Sequence, residues 1–296
     1  MPNFNLQYFN QRLSNTLIGT ILLILTYLFF SVMELTAKEL ALRFNPFLIV
    51  FARYLSQLIL LLIIFNKQFK THLKSNHKPL QILRGALLMI TTCFMFTGLA
   101  YLQFAENISI YMIGPVITTI LAILILKEKI SFTQILVVII GLIGALIIAS
   151  PNKGAFNYAV IFPFLAALCF AFFTISTKFL NTSDSNQTTL LFTAITGTIL
   201  SLPFIIYFWK WPNLNDAILM FCLGFLATAG HFLFIEALKV INASFAAPFV
   251  YLTVLLAAFW GYILYNEVPS QNTFIGAFLI ITSGFIITRF RKKNLK

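Results

Sequence analysis

Charged side chains are rare in the long apolar stretches of this chain, and two of them, Glu34 and Arg53, are candidates for binding a ligand. Glu34 lies in an apolar run that begins near Leu17, and Arg53 lies in the next run. A charge at the centre of a bilayer costs at least about 2.5 kcal/mol, so such residues usually face a bundle interior and serve a function. Glu34 either binds a cationic group or a proton, or it pairs with Arg53 or with Lys38. Arg53 either contacts the solute or braces the structure, and both questions are open at this point.

His231 and Glu236 share a later apolar run. Five residues correspond to about 140° around a helix, so the two side chains do not share a face and do not form a metal motif. Imidazole titrates near neutral pH, which makes His231 a candidate for proton coupling or for hydrogen bonding to a solute, with simple packing as the alternative. Glu236 is a further proton-coupling candidate, or it bridges to Lys239.

Two tyrosines and two prolines mark the helices that we expect to line a cavity. Tyr111 in "ISIYMIGP" and Tyr251 in "APFVYL" present aromatic faces that suit a cationic or planar ligand. Their alternative role is in the aromatic belt at the membrane interface. Pro115 and Pro248 predict helix kinks, because proline removes an intrahelical hydrogen bond.

The composition indicates which elements must position these residues. The chain is 60% hydrophobic and 9% charged, whereas soluble domains are about 25% charged. Its continuous apolar runs fit helices that cross a hydrocarbon core about 30 Å thick, and barrel strands would alternate instead. We predict an all-α integral membrane protein with ten transmembrane helices. The predicted spans are 17–37, 46–65, 80–101, 107–126, 132–149, 158–179, 187–208, 216–238, 243–265 and 271–290.

The basic residues predict the orientation. Most of the 20 Lys and Arg residues fall on the cytoplasmic side if the N-terminus is cytoplasmic, and both termini are then cytoplasmic. Loops beside anionic lipid account for the net charge of +12, so we expect no nucleic-acid partner. The first apolar run is too long for a signal peptide and is predicted to be the first span. A bacterial plasma (inner) membrane protein is the expectation.

An internal duplication is visible when the chain is shifted against itself by 139 or 140 residues. Lys38 then aligns with Lys178, Gly85 with Gly224, and Glu128 with Glu267. We interpret Glu128 and Glu267 as equivalent structural residues that hold helix ends or loops. With five spans in each half, the second half crosses the membrane in the opposite sense.

The duplication divides the chain into two inverted five-helix repeats, residues 17–152 and 153–290. A cytoplasmic segment, 1–16, precedes them, and a basic cytoplasmic tail, 291–296, follows. Inverted repeats enclose a central site that rocking exposes to each side in turn. This pattern predicts a carrier of a small molecule.

Several motifs then indicate a family. The stretches "FARYLSQLIL", "LRGALL" and "EALKVINASFAAPFVYL" resemble the paired domains of the EamA family in the drug/metabolite transporter superfamily. The resemblance implies a ten-helix secondary transporter whose cavity is lined largely by spans 3, 4, 8 and 9. "VMELTAK" and "NASFAAPFVYL" are most similar to the branch that contains S-adenosylmethionine carriers. Related members export amino acids or carry other metabolites, so a cationic metabolite and an exported amino acid are both expectations.

Other classes of function are less well supported by the sequence. A membrane enzyme would need clustered His, Asp or Cys residues near one interface, and ATP-driven transport would need a glycine-rich phosphate loop. Neither pattern is present, so we expect no enzyme, no cofactor and no bound metal. A monomer or a homodimer is expected. Our hypothesis places Glu34 on the outer side of the cavity, with His231 and Tyr251 deeper.

Overall fold

The computed structural model describes residues 6–102, 104–149, 158–265 and 271–293, and in these ranges all regular structure is helical. Four-residue helices, short 3₁₀ segments and turns connect the longer helices. The helices are α1 (Leu6–Ala41), α2 (Pro46–Phe65), α3 (Phe69–His72), α4 (Lys78–Tyr101), α5 (Phe104–Tyr111), α6 (Gly114–Leu124), α7 (Phe132–Ala149), α8 (Ile161–Leu180), α9 (Asn186–Phe208), α10 (Leu214–Val240), α11 (Ala243–Ala246), α12 (Leu252–Tyr265) and α13 (Gln271–Lys293).

Seven of the described helical segments are long and apolar enough to cross a membrane. Three shorter apolar helices, within α6, α7 and α13, accompany them. Many Leu, Ile and Phe side chains on the outer faces are exposed, for example Phe278, which is 70% exposed, and Ile63, which is 66% exposed. Such side chains suit lipid contact. The prediction of an all-helical, multi-pass membrane protein is confirmed.

Polar caps start several helices where the sequence requires it. The side chain of Asn45 accepts a hydrogen bond from the amide of Phe47, and Pro46 occupies the first turn of α2, where its missing N–H is not needed. Ser185 caps α9 in the same way, and Asn213 caps α10. The cap at Asn45 starts α2 at residue 46, as hydropathy predicts.

Two features of the helices differ from the predicted spans. Helix α1 begins at Leu6, well before the predicted start at residue 17. The predicted fourth span is divided into α5 and α6 by a turn at Met112 and Ile113. Pro115 lies in the first turn of α6, and α5 ends at Tyr111. In a continuous helix the ring of Pro115 would clash with the carbonyl of Tyr111, four positions earlier.

The corresponding region of the second half is also irregular. Pro248 lies in a 3₁₀ segment, Ala247–Tyr251, between α11 and α12. The carboxylate of Glu128 accepts hydrogen bonds from the amides of Ala243 (3.0 Å) and Ser244 (3.1 Å) at the start of α11. It thereby satisfies two backbone donors of a helix N-terminus. Glu267 lies outside the described residues.

Two glycines bring neighbouring helices into close contact. A Cβ on Gly85 of α4 would lie 2.8 Å from the Cβ of Thr196 on α9, and a Cβ on Gly224 of α10 would lie 2.5 Å from the amide nitrogen of Gln57 on α2. Small residues at such places let helix backbones approach closely in a membrane. We call these two contacts the α4–α9 and α2–α10 glycine contacts.

The carboxylate of Asp184 links the α8–α9 turn to the segment at the start of α4, at one end of the bundle. Asp184, between α8 and α9, accepts hydrogen bonds from the Ser75 hydroxyl (2.5 Å), the Gln81 amide group (2.8 Å) and the Asn76 backbone (3.2 Å). Partial burial acts to raise the pKa of Asp184, but these hydrogen bonds and the nearby His77 outweigh it. The pKa of Asp184 therefore lies below its ordinary value of 3.8 in the folded protein.

This depressed pKa predicts how stability depends on pH. The contribution of Asp184 is fully present above the unfolded-state pKa of 3.8 and is lost as the pH falls through the lower folded-state pKa. We expect Asp184→Asn to lower the free energy of unfolding by about 1 kcal/mol at pH 7. It should also flatten the pH dependence of the melting temperature below pH 4, measured in detergent. Glu39→Gln, which removes an exposed ion pair with Arg43, is the control. An unchanged acid slope in Asp184→Asn would contradict the assignment.

Candidate solute-binding cavity

A cavity of about 440 Å³ lies between α1, α2, α4, α5, α8 and α10. Its volume falls within the range of about 300–1,000 Å³ that is usual for small-molecule sites. It is lined by Phe30, Met33, Glu34, Ala37, Lys38, Ala41, Leu42, Pro46, Ile49, Arg53, Leu88, Thr91, Thr92, Met95, Phe96, Ile108, Tyr111, Phe170 and His231.

The cavity runs from the buried middle of the bundle to one of its ends. His231 and Arg53, each 2% exposed, lie at the deep end. Leu42, which is 77% exposed, and Pro46 lie at the other end, where the turn between α1 and α2 reaches the surface. A solute can therefore enter from the side that carries the α1–α2 turn.

Glu34 supplies the carboxylate of the cavity. It is half-buried and makes no hydrogen bond or ion pair with any of the described residues. In particular it does not pair with Arg53, which was one interpretation of the sequence. A carboxylate that faces a cavity in this state is available to a cationic or hydrogen-bonding ligand.

Arg53 is held by neutral partners at the deep end. Its Nη2 lies 2.9 Å from Nε2 of His231, its Nη1 donates to the hydroxyl of Thr92 (3.4 Å), and its guanidinium lies 4.5 Å from the ring centre of Tyr54. Arg53 makes no ion pair in the described part of the chain. A guanidinium in this position can bind a carboxylate of a solute through two parallel hydrogen bonds.

The contact with Arg53 determines the tautomer of His231. Arginine N–H groups can only donate, so Nε2 of His231 must accept and the imidazole proton resides on Nδ1. The ring is therefore neutral, and its Nδ1–H is buried without a hydrogen-bond partner among the residues that the structure describes. His231 can take up a proton on Nε2 only if the contact with Arg53 breaks.

Aromatic and sulfur-containing side chains form much of the remaining wall. The rings of Phe30 and His231 are 4.8 Å apart, and those of Tyr111 and Phe170 are 6.0 Å apart. Such faces stack on planar groups and attract cations. Met33 lies on the same wall, next to Glu34 in the sequence. The cavity thus combines separate positive, negative and aromatic surfaces.

Four of the predicted binding residues line this one cavity, namely Glu34, Arg53, Tyr111 and His231. Tyr251 does not line it, since it is fully buried and its hydroxyl donates to the carbonyl of Val138 (3.0 Å).

Glu236 also lies outside the cavity. It pairs with Lys239 (3.2 Å) and accepts a hydrogen bond from Asn186. The predicted involvement of span 9 is likewise not found in this cavity, whereas α1, α2 and α8 contribute to it.

Several residues that share the face of α1 with Glu34 line the cavity but were not predicted to do so. Phe30, Ala37, Lys38 and Ala41 lie four positions before it and three, four and seven positions after it. This is the spacing of one helix face. Extending the helical spacing from Glu34 would have identified them.

Comparisons with known proteins agree with this architecture. The model of the EamA-like transporter family matches residues 17–150 and again residues 157–289. The S-adenosylmethionine uptake transporters of Rickettsia bellii and Rickettsia prowazekii are 30% and 28% identical, each over 286 residues and 97% of this chain, and these matches cover 98% and 97% of the two relatives. A riboflavin transporter of Vibrio cholerae is 28% identical over 72% of each chain. One crystal structure superposes with a TM-score of 0.79 over 94% of this chain and 97% of its own, at 16% identity, and thus shares the fold.

Proposed function

The chain belongs to the EamA-like transporter family, and on that premise we propose that it moves a small organic metabolite with a cationic group across the bacterial inner membrane by alternating access. The observation that carries the proposal is the cavity, in which the carboxylate of Glu34, unpaired within the described part of the chain, faces a space shared with Arg53 and aromatic rings. That the protein is a membrane transporter of small metabolites follows from the family and its relatives.

The helix packing supports ten crossings arranged as an inverted repeat. The three shorter apolar helices would bring the seven long ones to ten. Exchange of the two halves turns α1 into α8, α2 into α9, α4 into α10 and α7 into α13. The contact of α1 with α10 then becomes that of α8 with α4, the contact of α2 with α10 becomes that of α9 with α4, and all of these contacts are present. The contacts of α2 with α9 and of α7 with α13 map onto themselves.

The glycine contacts support the same relation at the level of residues. A shift of 139 residues relates Gly85 to Gly224 and also relates Gln57 to Thr196. The shift therefore relates the α4–α9 glycine contact to the α2–α10 glycine contact. Two successive matches of one family model over the chain agree with this duplication.

The distribution of basic residues in the loops supports the predicted orientation. With both termini in the cytoplasm, the α1–α2 turn lies outside the cell, and the cavity is open to the outside. Asp184, Ser75 and Gln81 then hold the cytoplasmic end closed through their hydrogen bonds. The described conformation is thus the outward-open state in this proposal.

S-adenosylmethionine is the first candidate solute because two relatives are named for its uptake. Its sulfonium group would meet Glu34, its carboxylate would meet Arg53, and its adenine ring would stack on the aromatic wall. A cavity of about 440 Å³ is large enough for a solute of this size. Separate charged groups on the solute would each find a complementary group in the cavity.

The test is counterflow of radiolabelled S-adenosylmethionine into liposomes that contain the purified protein and unlabelled solute. We expect labelled solute to accumulate transiently above its level in protein-free liposomes. Unlabelled S-adenosylmethionine should compete strongly. S-adenosylhomocysteine lacks the sulfonium charge and should compete at least about tenfold more weakly, because the loss of about 1.4 kcal/mol of charge interaction corresponds to a factor of ten in binding. Counterflow of riboflavin without counterflow of any cationic solute would overturn the proposed substrate class.

A further inference from the structure

A second buried guanidinium lies outside the open cavity. Arg84 of α4 is fully buried, its Nε donates to the hydroxyl of Thr177 (2.6 Å), and its Nη1 donates to the hydroxyl of Thr193 (2.5 Å). The guanidinium lies 4.4 Å from the ring centre of Phe173. Its Nη2 is buried without a hydrogen-bond partner, and Arg84 forms no ion pair within the described ranges. A buried cation that has only neutral partners costs free energy. Charged residues that are kept inside membrane-spanning helices usually serve a function.

Arg84 continues the face of α4 that lines the open cavity. It lies four residues before Leu88 and eight before Thr92, both of which line the cavity, so the three side chains share one helix face. Arg84 therefore lies on the side of α4 that faces the open cavity, one helical turn before the lining residue Leu88.

The inverted repeat relates the surroundings of Arg84 to the open cavity. The shift of 140 residues that aligns Lys38 with Lys178 also relates Met33 to Phe173 and Ala37 to Thr177. Met33 and Ala37 line the open cavity, whereas Phe173 and Thr177 are fully buried and contact Arg84. The region around Arg84 is thus the closed equivalent of the open cavity.

We propose that Arg84 is the anion-binding residue of the cavity that opens on the opposite side of the membrane, where it receives the carboxylate of the solute. The inference rests on the alternating access described under the proposed function. In the described state the hydroxyls of Thr177 and Thr193 hold the guanidinium, and its free Nη2 completes a fork. When α8 moves away from α4, Nε of Arg84 loses Thr177 and forms with Nη2 a fork that can bind a carboxylate through two parallel hydrogen bonds.

The first test needs no knowledge of the solute. In a chain whose three cysteines, Cys93, Cys169 and Cys222, are replaced by serine, Thr177→Cys places a thiol beside Arg84. Methanethiosulfonates that carry a sulfonate or a quaternary ammonium group are applied from the side of the α2–α4 loop. The measured quantity is the ratio of the reaction rate of the anionic reagent to that of the cationic reagent. We expect this ratio to be higher at the Thr177→Cys thiol than for a small thiol in solution, and we expect Arg84→Gln to lower it at least about fivefold.

The matched control is Ala37→Cys, the repeat equivalent of Thr177 in the open cavity. It should react from the side of the α1–α2 turn, and its preference between the two reagents should not change in Arg84→Gln. If Arg84→Gln does not fold, a stronger anionic preference at position 177 than at position 37 in the chain with Arg84 still supports the proposal. Three results would each overturn the proposal. The first is failure of Thr177→Cys to react from the α2–α4 side, the second is an anionic preference there that is no stronger than that at position 37, and the third is survival of that preference in Arg84→Gln.

The second test separates this inference from the proposed substrate. In vesicles of known orientation, Arg84→Gln should raise the half-saturating concentration of S-adenosylmethionine at least about tenfold on the α2–α4 side and change it less than about twofold on the other. Equal changes on both sides, as expected of a purely bracing residue, would contradict the proposal. If the unchanged protein carries no S-adenosylmethionine, the proposed substrate is wrong, and the thiol measurements alone decide on Arg84.

Discussion

Replacement of Glu34 by glutamine is expected to lower uptake of a cationic solute at least about tenfold. Glu34 lines the cavity and has no ion pair or hydrogen bond with a described residue, so its charge is not committed to the fold. A hydrogen bond to a charged group contributes about 1.5–3 kcal/mol, and about 1.4 kcal/mol corresponds to a factor of ten in binding. The measurement is the initial rate and half-saturating concentration of S-adenosylmethionine uptake in liposomes.

The chain offers a matched control on the same helix. Glu39 is exposed and pairs with Arg43 (3.0 Å) outside the cavity lining. Glu39→Gln removes the same charge from α1 and should change uptake less than about twofold, since exposed ion pairs contribute little. Equal losses in the two variants would show that Glu34 acts through the general charge of α1 and would contradict its role in binding. Comparable amounts of folded protein must be verified for both.

Replacement of Arg53 by glutamine should lower uptake at least as strongly. The substitution removes the cation that we assign to the carboxylate of the solute, and it takes from His231 the donor that lies 2.9 Å from Nε2. Arg53→Lys keeps the charge but not the fork, so an intermediate loss is expected. Decarboxylated S-adenosylmethionine should bind equally well to the original protein and to Arg53→Gln. A large loss for this analogue as well would indicate that Arg53 braces the structure instead.

His231→Gln distinguishes hydrogen bonding from proton coupling. Glutamine offers an amide oxygen that can accept from Arg53 but cannot exchange a proton near neutral pH. Because the neutral tautomer of His231 already holds its only basic nitrogen against Arg53, we expect most of the uptake and its pH profile to be kept. Loss of uptake driven by a pH gradient, with counterflow unchanged, would instead assign the proton to His231.

The membrane-spanning helices were predictable because the length and hydropathy of a span are local properties. The predicted bounds of span 2, 46–65, are those of α2, since Asn45 and Pro46 give a strong start signal. The division of the fourth span was harder to place. Pro115 indicates a kink, but the turn occurs at Met112 and Ile113, where the chain must depart from the helix before the proline ring.

The pairing of side chains was not predictable, because hydropathy does not determine how each helix is rotated about its axis. Glu34 and Arg53 were recognised as cavity candidates, but the partner of Arg53 is His231, 178 residues further along the chain. Tyr251 was assigned to the cavity from its helix alone, but it is fully buried and its hydroxyl donates to the carbonyl of Val138. Arg84, in the second turn of α4, was not among the predicted binding residues.

The glycine contacts also determine what can stay fixed during transport. An exchange between outward-open and inward-open states interchanges the roles of the two halves, so it converts the α2–α10 glycine contact into the α4–α9 glycine contact and the reverse. Both contacts are already closed in one and the same conformation. Both contacts can therefore stay closed through the whole proposed cycle and form the axis about which the halves rotate. The helices that move are then α1, α5 and α6 in the first half and α8, α11 and α12 in the second.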